Sequence, residues 1–281
     1  MINLIKKHAK SFYWASFFLS KPVFNKCSSL YNFCRTLDDI VDGNKKLEIK
    51  KENFFKFKKD FINKDYNNPI IEDMWLVIDK ERISKRVVMD LFDGVQTDLE
   101  EKVKINSKKE LLIYSYRVAG TVGLMMSKIL KVDNKEALKG AIDLGIAMQL
   151  TNIARDVVED KKQNREYIDY NFSTIKETID NAEIFYKKSF IAISGIPLKS
   201  RFSVIVARRI YKKIGDYILK EKNIENYNKA GKIYVPISGK VLETILSTVD
   251  FFRLFFIKNI IYDNRENHSI LNQEININER I

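Results

Sequence analysis

Three features of the 281-residue chain predict an all-α fold. Only four prolines and ten glycines punctuate it. Alternating Val/Ile/Thr runs of the strand type are scarce. Long Lys/Glu/Leu/Ile stretches instead place apolar residues three and four apart, the spacing of a helix face. With 45% of its residues hydrophobic, the chain has enough apolar surface for one sizeable core.

The first helical pattern, 3–20, sets basic residues before an apolar patch. That order suits a signal peptide, but no small-residue cleavage site follows, and Ser11, Trp14 and Ser16 dilute the patch. A second helix over 23–42 lies between Lys21-Pro22 and Asp42-Gly43-Asn44. A third over 46–64 ends before Asn67-Asn68-Pro69. Patterns over 81–103 and 107–130 follow, then 135–163 after Asp133-Asn134. Helices over 174–194 and 198–221 flank Gly195-Ile196-Pro197, and 240–260 opens after Gly239. No Pro/Gly/Ser-rich linker and no repeat interrupts this order. The organisation is read as one all-α domain over 1–262 and a polar, frayed C-terminal tail over 263–281.

Forty-nine basic residues against 37 acidic give a net charge of +12. Such a balance suits nucleic acid, an anionic membrane surface or phosphate-bearing ligands. The lysines are scattered and no nucleic-acid motif is present, so nucleic acid is not expected as a partner; a solvated lysine-rich surface is the plain alternative. Two cysteines, Cys27 and Cys34, make neither a disulfide framework nor a zinc site, which points to a reducing cytoplasm. Two histidines leave little room for His-rich metal sites or hydrolase triads. No run reaches the ~18 apolar residues of a membrane span. FFRLFFIKNII (251–261) comes nearest, broken by Arg253 and Lys258. It reads first as a core helix and second as a helix lying on a membrane surface.

Two short stretches carry the chemistry. In QLTNIARDVVED (149–160), Gln149, Asn152, Asp156 and Asp160 share a helical stripe roughly 80° wide. In CRTLDDIVDG (34–43), Arg35, Asp38 and Asp42 fall within about 60° of one another, with Tyr31 on the same side. With 19 Asp in the chain, chance alone supplies on the order of one D-x-x-x-D pair, so spacing by itself also fits exposed acids or salt bridges to Arg35 and Arg155. The surroundings favour more. Carboxylates four apart on facing helices make an oxygen-rich cleft, and magnesium takes one or two protein carboxylates plus substrate phosphate oxygens. Arg35 and Arg155 could hold diphosphate oxygens in bidentate fashion.

Five ordered segments then resemble the squalene/phytoene synthase family. HAKSF (8–12) resembles its opening motif, and YNFCRTLDDIVD (31–42) its first aspartate-rich motif. YSYRVAGTVGLMM (114–126) is similar to its Tyr-x-Tyr-x-Val-Ala-Gly-x-Val-Gly segment, and LGIAMQLTNIARDVVED (144–160) to its second aspartate-rich motif. ARRIYKKIGDYI (207–218) with KIYVPISGK (232–240) looks like the C-terminal region of bacterial phytoene synthases. The likeness covers roughly 8–240. One departure stands out: the family's Arg-x-Tyr-Leu-Pro becomes REYIDY, keeping Arg165 and Tyr167 and losing Leu-Pro, which puts the shape of the loop over the diphosphates in question.

The resemblance implies an isoprenoid synthase fold, with helices around a central apolar cavity and two facing aspartate-rich helices. It implies Asp38, Asp42, Asp156 and Asp160 as magnesium ligands (manganese in its place), with Asn152 and Gln149 contacting metal-bound water or diphosphate. Arg35, Arg155 and Arg165 would neutralise diphosphate charge. His8, Ser11 and Phe12 match a diphosphate-contacting motif, with a helix cap as the alternative for Ser11. Tyr31, Tyr116 and Tyr211 match tyrosines that line the cavity and steady a carbocation; plain core packing is the alternative. The small residues Ala119, Gly120, Val122 and Gly123 imply close approach by a helix, a prenyl chain or both. The implied reaction joins two C20 geranylgeranyl diphosphates to phytoene through a cyclopropylcarbinyl diphosphate, in carotenoid biosynthesis, without NADPH. A C15-using squalene or dehydrosqualene synthase is the second reading, and a non-catalytic scaffold the third. Prenyl diphosphates are the expected partners, with peripheral attachment to the inner face of the cell membrane; no protein partner is indicated.

Overall fold

The computed structural model describes residues 4–257 and 265–281. Among them the chain is helical throughout, apart from two-residue strands β1 (Val103–Lys104) and β2 (Arg165–Glu166), which pair in parallel. The all-α expectation holds. The first pattern divides at Ala9 (φ −121°, ψ 62°) into α1 (Leu4–His8) and α2 (Lys10–Ser16). α3 (Lys21–Asp42) carries the first acidic motif, and α4 (Leu47–Ile62) follows. α5 (Pro69–Glu81) is a helix that the sequence reading passed over, because Asn68-Pro69 reads as a break. Pro69 instead occupies the first turn, where no N–H is needed, and Asn68 Oδ1 caps it by accepting from Ile70 N at 3.0 Å.

α6 (Lys85–Gln96) leads to β1, and α7 (Lys108–Ser115) follows it. A π-helical turn, Tyr116–Gly120, joins α7 to α8 (Thr121–Ile129). Single π turns of this kind cluster at functional sites. α9 (Lys135–Lys162), the longest helix described, carries the second acidic motif at its C-terminal end. α10 (Phe172–Ala192) and α11 (Leu198–Leu219) pack on α9. α12 (Ile224–Ala230) and α13 (Ile237–Phe255) complete this part of the chain.

The small residues of the π turn and α8 meet a helix. A Cβ on Gly123 would stand 2.2 Å from Ala141 O, and one on Gly145 would stand 2.2 Å from Ala119 O. Backbone thus lies on backbone where α9 crosses α8. A helix is thus one of the partners these small residues admit.

The frayed tail is not what the structure shows. α14 (Arg265–Asn272) and the residues after it bury Leu271, Ile275 and Ile277. His268 Nε2 lies 2.8 Å from Asp143 Oδ1 of α9, and Arg280 grips Asp90 of α6 at 2.8 and 3.1 Å. The segment is polar because its charged groups answer acids buried elsewhere, a complementarity invisible within the tail itself. The boundary placed at 262/263 lies outside the described residues, as do 258–261 of the apolar stretch.

Candidate active site

Two acidic stripes and one loop arginine meet at the end of the helical bundle. α3 brings Asp38 and Asp42, and α9 brings Asp156 and Asp160. The pairing Val103↔Arg165 holds the REYIDY loop so that Arg165 reaches across to α3. Its Nη1 stands 2.7 Å from Asp42 Oδ1 and its Nη2 donates to Val41 O at 3.4 Å. Arg165 also acts electrostatically on Asp160 and on Asp98. The retained Arg of the altered loop is therefore the bridge between the two motifs. A cavity of about 230 Å³ opens beside it, lined by Val157, Asp160, Arg165, Tyr167 and Tyr170 among others.

The carboxylates divide into two kinds. Asp156 is held by protein cations: Arg155 makes a two-pronged contact at 2.8 and 2.6 Å, and Lys232 adds a third at 3.1 Å. Asp38 and Asp160 have no such partners. Asp38 is open to solvent yet ringed by protein, as at the floor of a cleft. That surrounding and the nearby Asp42 charge push its pKa up to about 7. Partial burial and the Asp156 charge push Asp160 up to about 8. Each side of the cleft thus carries a carboxylate with no cation bonded to it.

Asp98, after α6, is an acid the sequence reading missed. It is partly buried, and that desolvation raises its pKa against the pull of Arg165. Tyr167 donates to Asp98 Oδ1 at 2.6 Å. The Tyr114 hydroxyl lies 3.0 Å from Asp98 Oδ2 and 2.9 Å from the Tyr167 oxygen, with the two rings stacked at 4.7 Å. No i, i+4 partner flags Asp98, so helical periodicity could not find it. Lys232 was missed for the same reason, since it reaches Asp156 from a distant loop.

The tyrosine assignment needs correction. Tyr116, expected to line the cavity, is fully buried and donates to Asp90 Oδ2 at 3.1 Å, beside Arg280. Tyr114, two residues earlier, is the one beside the acidic cluster. At about 100° per residue the two tyrosines of YSY point about 160° apart, so only one can face the cleft. Nothing in the segment itself says which.

The remaining candidates sort by position. Tyr31 lies within electrostatic reach of Arg35, Asp38 and Tyr211; Phe12 packs on Tyr211 at 4.9 Å. Tyr211 in turn feels Arg155 and Asp156, so these rings bridge from α3 to α9. Arg35 pairs with exposed Asp39 instead of with the stripe, and its Nε is buried without an acceptor. Asn152 donates to Gln149 Oε1 at 3.4 Å, while its own Oδ1 is buried with no hydrogen bond. Ser11 sits inside α2, whose N-cap is Ala9, so the capping alternative does not apply. His8 is exposed at the end of α1.

Among the described residues, no three His, Cys, Asp or Glu side chains stand close enough to enclose one metal ion. The donor set nevertheless fits a hard cation that shares its shell with a ligand. It offers the Asp38 and Asp160 carboxylates and an idle amide oxygen to the cation, and an idle guanidinium N–H to an anionic ligand.

The squalene/phytoene synthase family model matches residues 5–168, spanning both acidic motifs and the bridging arginine. The chain belongs to the squalene/phytoene synthase family. It is therefore a prenyltransferase of isoprenoid biosynthesis. A 15-cis-phytoene synthase of Paracoccus sp. (strain N81106 / MBIC 01143) is 29% identical over 240 residues, covering 75% of this chain and 78% of its own. The chloroplastic phytoene synthase of Daucus carota is 28% identical over 273 residues, covering 86% and 67%. Among solved structures, a dehydrosqualene synthase in complex with ligand matches with a TM-score of 0.76 at 25% identity, over 89% of this chain and 94% of its own. A squalene synthase of Alicyclobacillus acidocaldarius shares the fold, with a TM-score of 0.67 at 16% identity, over 80% of this chain and 92% of its own.

Proposed function

We propose that this squalene/phytoene synthase family member joins two C20 prenyl diphosphates head to head, giving phytoene through a cyclopropylcarbinyl diphosphate. The observation that carries the reading is the pair of facing acidic helices bridged by Arg165. The relatives named as phytoene synthases support the C20 assignment. Asp38, Asp42, Asp156 and Asp160, with Asn152 Oδ1, would hold magnesium, which supplies charge neutralisation for a departing diphosphate. The chain's own part is electrostatic. The idle Arg35 Nε and the Arg155 and Arg165 guanidinia offer donors to diphosphate oxygens as charge develops there. Tyr31, Tyr211 and Phe12 offer ring faces to an allylic cation, worth roughly 0.5–2 kcal/mol each. Gln149 and His8 complete the substrate contacts.

A C15 reading has its own support, since the dehydrosqualene synthase structure matches nearly the whole chain. Incubation with C15 and C20 diphosphates and magnesium, with and without NADPH, followed by product mass, separates the two. A C40 product from the C20 substrate is expected, without NADPH, and excess chelator should abolish it. No product from any combination would favour a non-catalytic role. Full turnover in chelator would remove the metal from the reading.

The two tyrosines give a sharper check. Tyr114→Phe takes a hydroxyl from the Asp98 network beside the cleft and should cost tenfold or more in kcat, roughly 1.4 kcal/mol of barrier. Tyr116→Phe leaves Asp90 with Arg280, so kcat should stay near wild type with about 1 kcal/mol of stability lost. The reverse ranking would return Tyr116 to the site.

We also place the protein at a membrane surface, because its proposed substrates and product carry long apolar tails. No helix among the described residues is long and apolar enough to cross a bilayer.

A further inference from the structure

α13 is built inside out. Its carboxylates, Glu243 and Asp250, are buried and bound to Arg209 of α11 at 2.9 and 2.7 Å. Its exposed residues from Ile237 to Phe256 are nine apolar side chains with Ser238, Thr248 and Arg253, and no acid. Ile245 is 62% exposed, Val249 and Phe252 58% each, and Phe256 84%. Ile237, Val241, Ile245, Val249 and Phe252 lie on one stripe roughly 120° wide. A water-facing helix of a globular protein has the opposite pattern. The 251–261 stretch, read first as a core helix, thus turns Phe252, Phe255 and Phe256 outward while Phe251 packs against the core.

The patch extends beyond α13. Phe18 meets Phe202 edge-on at 4.8 Å, Phe202 meets Phe251 at 5.9 Å, and Phe251 meets Phe255 at 5.3 Å. Trp14 Nε1 donates to Thr244 Oγ1 at 3.0 Å, tying α2 and the exposed Phe17 beside it to the same face. The patch is also connected to the cleft. Lys232 contacts Asp156, Arg155 lies 5.9 Å from the ring of exposed Tyr234, and three residues later the chain enters α13.

We infer that the outward face of α13, with Phe17 and Phe18, is a docking surface for an anionic lipid bilayer, an inference that rests on the prenyl-transfer reading and deepens it. Phe, Ile and Val side chains would enter the headgroup boundary, with Arg253 at the edge facing lipid phosphate. A second copy of the chain is a poorer occupant. Pairing this face with itself brings together two surfaces with basic and no acidic exposed groups, on subunits of charge +12 each. Seated on lipid, the 232–236 segment would join the cleft to the bilayer surface.

Co-sedimentation of the full chain with vesicles tests this without any substrate. Wild type should bind phosphatidylcholine/phosphatidylglycerol vesicles more tightly than phosphatidylcholine alone. Ile245→Glu with Phe252→Glu should weaken binding by about tenfold or more, since each charge must leave the acyl boundary. The melting temperature and the turnover of detergent-dispersed substrate should not change. Absence of wild-type binding, or equal binding by the double variant, overturns the inference. So does a wild-type dimer in solution that the double variant disperses, because the face would then belong to a second copy. If vesicle binding behaves as expected and no prenyl diphosphate is turned over, the enzymatic reading fails and the surface stands.

Discussion

Asp38→Ala and Asp156→Ala should both abolish product and should move the melting temperature in opposite directions. From sequence, both residues sit on equivalent polar stripes, and both truncations would be expected to relieve repulsion. The structure separates them. Asp38 has no cation bonded to it and stands near Asp42, so its loss in metal-free buffer should leave the midpoint unchanged or raise it. Asp156 neutralises Arg155, whose side chain is only 12% exposed, and it also binds Lys232. Removing it strands a largely buried guanidinium, at about 3 kcal/mol, the low end for breaking a buried pair. For a chain of this size that is a fall of roughly 6–12 °C.

The pH dependence has a definite sign. Asp38 and Asp160 are pushed up to about 7 and about 8, so the folded protein holds these protons more tightly than the unfolded chain does. Their contribution is complete below about pH 4. It is lost as pH rises through 7 and 8. The gain from Asp38→Ala should therefore be absent at pH 4 and present at pH 8; solvent access to Asp38 keeps it small. Thermal melts of wild type and both variants at these two pH values, without metal, decide the matter. Early melting by Asp38→Ala at pH 8 would mean that the first stripe holds helices together.

Gly145→Ala should be the most damaging single-methyl change described. The added carbon would stand 2.2 Å from Ala119 O and 2.7 Å from Ala119 C. Both are backbone atoms, so no flexible side chain can swing away. α9 would have to lift from the π turn, and overpacking of this kind costs about 3 kcal/mol or more. A fall of roughly 6–12 °C in the midpoint is expected. Activity should fall with it, because α9 carries Asp156 and Asp160. Gly231→Ala is the control. Its φ of +63° makes a side chain unfavourable, but nothing lies within 4 Å of the new Cβ. About 1 kcal/mol is the expected loss there. A Gly145→Ala protein that melts within a degree of wild type would show the helix contact to be looser than it stands.

The sequence by itself determined most of what depends on residues close together in the chain. Helical periodicity set the all-α class and both acidic stripes. The retained Arg165 and Tyr167 marked the loop that meets them. It misjudged α5 because Asn-Pro stops one helix and starts another with the same residues. Tertiary structure alone decided what depends on partners far apart. It joined Asp98 to Tyr114 and Tyr167, gave Asp156 to Lys232, and chose Tyr114 over Tyr116 at the cleft. It also showed the polar tail to be packed, through His268 with Asp143 and Arg280 with Asp90. The outward face of α13 belongs with these. An apolar stripe has the same sequence whether it meets a core or solvent, and only the burial of Glu243 and Asp250 against Arg209 fixes which side turns in. Periodicity reports that a helix has two faces, and the energy of pairing distant charges decides where each one points.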